Sequence, residues 1–154
     1  MPLISSIIPL QIIDLHGDGF HPILDINVYG KPFKAVLDTG ASRTAFDREV
    51  LTKANTEADI IASERLSTGL GTTTMESATA VIEKLYIGDF MIPEIEVAVL
   101  DLSTINYAYE QMGHPQVLGV IGSDVLMKYK GVINFGKKKL TLKQKAPQMR
   151  GSSI

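Results

Sequence analysis

Short apolar segments separated by glycine-bearing turns dominate the chain, a pattern that is typical of a mainly β protein. Alternation of apolar and polar residues predicts half-buried strands over residues 23–29 and 95–99. Apolar stretches predict two more strands, over residues 7–15 and 33–37. We therefore expect a core built mainly between strands.

Two places also favour short helices. Helical spacing of apolar residues predicts one helix within residues 43–54, with Thr44 or Asp47 as its N-cap. A second helix is predicted to begin at Ser123 or Asp124, either of which suits a cap.

Glycine-rich turns predict two hairpins. Residues 64–87 fit a long hairpin with a glycine and threonine tract at its tip, and residues 131–142 fit a shorter one. Residues 117–122 form an apolar, glycine-containing segment that is expected to be buried, whereas the periodicity of residues 101–116 does not decide between loop and helix.

Length and charge restrict the function. The 154 residues fit one domain, which we place at residues 1–143, followed by a flexible polar tail at residues 144–154. A net charge of -2 favours neither nucleic acid nor an anionic membrane as a partner. Because no signal peptide or stretch of ~20 apolar residues is evident, we expect a soluble, cytoplasmic protein.

The most informative segment is Val36–Ser42, which reads V-L-D-T-G-A-S. An acid, Asp38, ends an apolar strand and is followed by small residues. Asp, Thr, Gly and Ser are common in turns, so a turn capped by Asp38 is one interpretation. The segment alone does not decide between a turn and a catalytic loop.

Other reaction chemistries find little support. The chain contains no cysteine, and its histidines, at positions 16, 21 and 114, lack metal-ligand spacing. Ser42 and Ser123 do not lie in the Gly-x-Ser-x-Gly context of a hydrolase nucleophile. We expect no metal and no cofactor.

Three motifs occur in a particular order: residues 36–42, the glycine and threonine tract at 69–74, and Val-Ile-Gly at 120–122 before the predicted helix. In this order they resemble the retropepsin-like aspartic proteases, over roughly residues 7–143. The resemblance implies a closed or partly open β-barrel with one or two short helices, working as a homodimer. A chain with one Asp-Thr-Gly would supply one catalytic acid, and its partner the other.

The resemblance also implies roles for individual residues. The catalytic loop would be Asp38, Thr39 and Gly40, supported by Ala41 and Ser42. The substrate would lie between a flap and a floor, formed by Thr68, Gly69, Leu70, Gly71, Thr72, Val120, Ile121 and Gly122. We expect the Gly40 N–H to donate to the Asp38 carboxylate, and hydrophobic residues to be preferred at the scissile bond.

The implied activity is that of an aspartic endopeptidase acting on a peptide or protein substrate. Two adjacent carboxylates share one proton, and together they can activate a water and deliver a proton to the substrate. Two alternatives stay open: a non-catalytic peptide-binding or dimerisation module of the same fold, and a small barrel in which Asp38 only caps a turn. Retroviral members usually have an arginine where Ser123 stands, so the mode of dimerisation also stays open.

Overall fold

The computed structural model of the chain describes residues 3–55, 61–66 and 76–145. In those residues eleven strands and three helices form, and more than half of the described residues are in strands. The elements are β1 (Leu3–Pro9), β2 (Gln11–Asp14), β3 (Phe20–Val28), β4 (Lys31–Leu37), β5 (Ala45–Asp47), α1 (Arg48–Ala54), β6 (Ile61–Leu66), β7 (Glu76–Ile87), β8 (Phe90–Leu100), α2 (Ser103–Gln111), β9 (Gly119–Ile121), α3 (Ser123–Lys128), β10 (Val132–Asn134) and β11 (Lys139–Lys145).

The larger sheet closes into a six-stranded barrel, as the resemblance to retropepsin-like proteases implies. Its strand order is β2-β3-β4-β9-β5-β8-β7-β6, and an additional pairing between β3 and β7 closes the ring of strands. Most neighbours are antiparallel, but β4 and β9 run parallel, as do β5 and β8. Closure leaves β2 and β6 as extensions outside the six-stranded ring.

Alternating side chains of the barrel strands form the main core. Leu24, Ile26 and Val28 of β3 are buried, while Asp25 between them is exposed, which is the pattern expected of a half-buried strand. Phe46 and Phe90 are among the largest fully buried side chains. Burial of this size is the main source of stability in a β domain.

The first predicted strand, residues 7–15, is two strands in the structure. Strand β1 pairs with β11 in a separate three-stranded sheet, whereas β2 pairs with β3 in the larger sheet. Pro9, the last residue of β1, has no N–H to donate, and the N–H of Leu10, which lies between the two strands, donates to the carbonyl of Lys138 at 2.9 Å. The chain therefore changes sheets at a point that apolar composition alone does not reveal.

The two predicted helices form, but only one is capped as expected. Asp47 caps α1, and its Oδ2 accepts from the N–H of Val50 at 3.0 Å. The N-cap of α3 is Gly122, without a side-chain cap, so the prediction of Ser123 or Asp124 was wrong. The Asp124 carboxylate instead accepts hydrogen bonds from Thr44, which immediately precedes β5.

The remaining segments complete the fold. Residues 103–111, which periodicity left undecided, form α2, and the predicted hairpin at 131–142 is β10–β11. Strand β11 continues to Lys145, so the first two residues of the predicted tail are part of a sheet, while residues 146–154 lie outside the described residues. Among the described helices none is long and apolar enough to cross a membrane.

Gly119 provides a direct test of how tightly β9 packs in the barrel. A Cβ at this position would lie 1.9 Å from the carbonyl oxygen of Ala45 on β5, so one of the two strands must move. We expect Gly119→Ala to lower the free energy of unfolding by about 3 kcal/mol, as measured by urea denaturation. Gly136→Ala is the matched control, because a Cβ there meets nothing closer than 3.5 Å. Equal stability of the two variants would contradict the packing described here.

Candidate active site

Asp38 follows β4 directly and is held through its backbone. Its N–H donates to the carbonyl of Ile121 on β9 at 3.0 Å, and its own carbonyl accepts from the N–H of Ala41 at 3.2 Å. The side chain itself is exposed to solvent. A strand end and a tight turn therefore fix the position of a carboxylate that stays accessible.

The expected hydrogen bond from Gly40 is present. The Gly40 N–H donates to Oδ1 of Asp38 at 2.9 Å, and a Cβ at position 40 would lie 3.3 Å from that same oxygen. Glycine is therefore suited to this position because it lets the backbone approach the carboxylate closely. A hydrogen bond from a backbone N–H favours the ionised form of a carboxylate.

The Val-Ile-Gly segment lies against this loop, as its place in the motif order implies. The N–H of Ser123 donates to the carbonyl of Ala41 at 2.8 Å. Gly122 is buried, and a Cβ there would lie 2.7 Å from the same carbonyl oxygen. The two motifs, distant in the chain, are thus in backbone contact.

A buried hydroxyl joins the two motifs from behind. Thr44 is fully buried, and its hydroxyl donates to Oδ1 of Asp124 at 2.8 Å while it accepts from the N–H of Gly122 at 3.1 Å. Its N–H donates to Oδ2 of Asp124 at 3.0 Å. Sequence reasoning considered these two residues only as helix caps, and no spacing signal linked positions 80 residues apart.

The predicted floor residues have different environments. Val120 is 8% exposed and packs with Val36 in a smaller apolar cluster near the catalytic loop. Ile121 is fully buried in the main barrel core and contributes its carbonyl oxygen, rather than its side chain, to the loop. Adjacent strand residues point to opposite faces, which explains the difference.

The other predicted site residues fall into two groups. Thr39 and Ser42 are exposed beside Asp38, and Ala41 is partly buried against the smaller cluster. The predicted flap residues lie outside the described residues: Thr68, Gly69, Leu70, Gly71 and Thr72. Within the described ranges no group of three or more histidine or acidic side chains is arranged to hold a metal ion.

A tyrosine that sequence reasoning did not select also lies near Asp38. Tyr109 of α2 is 3% exposed and packs in the smaller apolar cluster with Val36 and Val120. Burial, together with the negative charge of Asp38, raises the pKa of Tyr109 to about 12. Its hydroxyl lies 2.6 Å from Nδ1 of His21 on β3. The undecided periodicity of residues 101–116 gave no signal for this contact.

Comparison with known families agrees with this arrangement. A family model described as aspartyl protease matches residues 24–125, which include both motifs of the site. The chain belongs to the aspartyl protease family. A comparison with curated protein sequences found no match to this chain.

Solved structures with similar folds are retropepsin-like. The fold resembles a retropepsin-like aspartic protease from Rickettsia conorii, with 19% identity, a TM-score of 0.53 and 95% of each chain covered. It also resembles the retroviral protease-like domain of Ddi1 from Leishmania major, with 16% identity, a TM-score of 0.51 and coverage of 78% of this chain and 86% of that one. A third similar structure is the EIAV protease in complex with the inhibitor HBY-793, with 15% identity, a TM-score of 0.50 and coverage of 75% and 93%. At these identities the likeness shows a shared retropepsin-like fold.

The role of Thr44 in joining the two motifs can be tested by removing its hydroxyl. Thr44→Val keeps the shape of the side chain but leaves the buried Gly122 N–H without its partner, and it removes one of the two hydrogen bonds that Oδ1 of Asp124 accepts. We expect a loss of about 2–4 kcal/mol in the free energy of unfolding, measured by urea denaturation. Thr52→Val is the control, since that hydroxyl is exposed on α1, and it should change stability by less than about 0.5 kcal/mol. Similar losses in both variants would refute the proposed link.

The raised pKa of Tyr109 predicts a loss of stability at alkaline pH. In the unfolded chain a tyrosine loses its proton near pH 10.0, whereas the folded protein keeps the Tyr109 proton until about pH 12. The unfolded state then binds fewer protons, so the free energy of unfolding falls as pH rises through this window. Urea denaturation at several pH values should show a smaller fall in Tyr109→Phe than in the wild type.

The matched control is Tyr107→Phe, because Tyr107 lies on the same helix and is 65% exposed. Its alkaline loss of stability should equal that of the wild type. If Tyr109→Phe loses stability in parallel with the wild type over the same pH range, the burial of the phenol beside Asp38 is wrong.

Proposed function

We propose that the chain is an aspartic endopeptidase that acts as a homodimer, with one Asp38 from each subunit in a shared site. The observation that carries the proposal is the position of Asp38, whose backbone is fixed by Ile121 while its carboxylate is exposed. Each chain contains a single Asp-Thr-Gly, so a site with two such acids requires two chains. A two-fold axis would bring the same exposed loop of both subunits together.

The chemistry follows from two carboxylates at close range. Like charges a few ångströms apart cannot both ionise at low cost, so the pair shares one proton. The ionised member takes a proton from a bound water, which attacks the peptide carbonyl, and the protonated member donates its proton to the substrate. The Gly40 N–H donates to Asp38 and would orient its carboxylate for this reaction.

The remaining residues of the loop take supporting roles in this proposal. The hydroxyl of Thr39, exposed beside Asp38, would reach the partner loop and keep the two carboxylates coplanar. Ser42 would donate to the outer side of the Asp38 carboxylate. The Thr44–Asp124 contact would keep the loop and Gly122 in register, although neither residue needs to touch the substrate.

The substrate in this proposal is an extended peptide or protein segment between the two subunits. Val120 and Val36 would form an apolar floor, with Gly122 leaving room for the backbone of the loop. Residues 68–72 would cover the peptide as a flap and exclude water during the reaction. The inhibitor bound to the EIAV protease supports a ligand site in this fold.

The proposal is tested by replacing the acid. Asp38→Asn removes the ionisable group with little change in shape, so cleavage of an unbiased peptide library at acidic to neutral pH should be lost. Mixing equal amounts of wild type and Asp38→Asn, with subunit exchange, should lower the activity per wild-type chain to about half, because only pairs with two Asp38 cleave.

Three results would count against it. Equal cleavage by Asp38→Asn and the wild type would exclude Asp38 as a catalytic group. Unchanged activity per wild-type chain after subunit exchange would exclude the shared site. Tight peptide binding by the wild-type dimer without cleavage would indicate a non-catalytic peptide-binding module.

A further inference from the structure

His21 lies on β3 at the end of the β3–β4 ladder that leads to Asp38. Strands β3 and β4 are antiparallel, and Ile23 and Val36 form the last pair at this end of the ladder. His21 and Asp38 each lie two residues beyond that pair. Both residues therefore lie near the end of the barrel at which the Asp38 loop follows β4.

Tyr109 links this imidazole to the helix that borders the site. Its hydroxyl oxygen lies 2.6 Å from Nδ1 of His21, and the two rings meet edge to face with centroids 5.9 Å apart. Tyr109 also packs with Val36 and Val120, which are the first residues of the two motifs of the site. The charge of Asp38 acts on the phenol, which agrees with this location.

The direction of this hydrogen bond decides which nitrogen of His21 carries a proton. With a pKa of about 12, Tyr109 keeps its O–H at neutral pH, and this O–H can donate to Nδ1 of His21, which lies 2.6 Å away. An Nδ1 that accepts carries no proton, so in the neutral ring the proton is on Nε2. The Nε2–H of His21 is then a hydrogen-bond donor whose direction is set by the contact between Nδ1 and Tyr109.

Among the described residues, Nε2 of His21 has no hydrogen-bond partner. The ring is half-buried, and because every buried side-chain nitrogen or oxygen in the described ranges has a partner, Nε2 is accessible to solvent. The rings of His114 and Tyr109 meet edge to face with centroids 6.2 Å apart, and Nε2 of His114 is hydrogen-bonded to the carbonyl oxygen of Asp14 at 2.8 Å. His114 therefore braces the tyrosine, whereas His21 has a nitrogen available to a ligand.

We propose that His21 is a substrate-binding residue whose Nε2–H donates to an acceptor oxygen of the peptide beside Asp38, and that Tyr109 is the positioning residue that fixes its tautomer. The inference rests on the proposed function, since it assigns a contact within that site. The acceptor is a carbonyl or carboxylate oxygen, either from a substrate side chain or from the peptide backbone.

Replacing His21 by Gln or by Asn tests which of its two ring nitrogens contributes to substrate binding. The amide nitrogen of Gln reaches the position of Nε2, whereas that of Asn reaches only the position of Nδ1. Loss of one neutral hydrogen bond corresponds to about a three- to tenfold effect. We therefore expect His21→Asn to raise KM about three- to tenfold with kcat unchanged, and His21→Gln to remain close to wild type.

The two sources of the acceptor give different cleavage profiles in a peptide library. If the oxygen belongs to a side chain, the wild type prefers Asp, Glu, Asn or Gln at one subsite, and His21→Asn loses that preference. If it belongs to the backbone, KM rises for all substrates alike. Cleavage by His21→Asn with the wild-type profile and the wild-type KM would overturn the proposal.

The tautomer can be measured without turnover. In the full chain labelled with ¹⁵N-histidine, long-range proton–nitrogen NMR should show His21 protonated at Nε2. Tyr109→Phe should produce a mixture of tautomers, whereas Tyr107→Phe, a substitution at an exposed position of the same helix, should not. Addition of an extended peptide with its central amide replaced by a hydroxyethylene group should shift the His21 Nε2 signal more than that of His16.

These experiments distinguish the role proposed for His21 from the proposed endopeptidase activity. A wild type that cleaves no better than Asp38→Asn would overturn the proposed function. Protonation of His21 at Nδ1 in the free protein, or an unchanged His21 signal when the peptide analogue saturates the protein, would overturn the assignment of His21 itself.

Discussion

The site depends on close backbone contact between two segments that are far apart in the chain. The loop after β4 and the segment around β9 approach so closely that a Cβ at Gly122 would lie 2.7 Å from the carbonyl oxygen of Ala41 in that loop. Hydrogen bonds then join the segments at several points, including the one from the Asp38 N–H to the Ile121 carbonyl. Because the acid is attached to this contact, its position is set by the barrel and not by a free loop.

The same contact holds the backbone of Asp38 in place while its side chain remains exposed. Behind the loop, Thr44 and Asp124 satisfy one another's hydrogen-bonding groups, so the polar interior contributes stability instead of a desolvation cost. In front of it, the carboxylate has a backbone donor in Gly40 and open space. An accessible, oriented acid of this kind is suited to meeting a second copy of itself.

The sequence predicted the parts of the fold that follow from local patterns. The alternation in β3 and β8, the capped helix α1 and the glycine beside Asp38 could all be read from neighbouring residues. The change of sheet after Pro9 could not, because both strands have similar apolar composition and only tertiary pairing separates them. Contacts between distant residues were also missed, as with Tyr109 and His21, which are 88 positions apart and show no common spacing signal.

The most direct test of the proposed shared site is the distance between the two Asp38 carboxylates in an active dimer. A crystal structure of the full chain with a non-cleavable, hydroxyl-bearing peptide analogue would provide it. We predict a two-fold dimer in which the nearest Asp38 oxygens lie within about 3.5 Å of each other, with the hydroxyl of the analogue bound between them. A peptide complex of catalytically active protein in which the two carboxylates are far apart, or in which the analogue contacts only one, would contradict it.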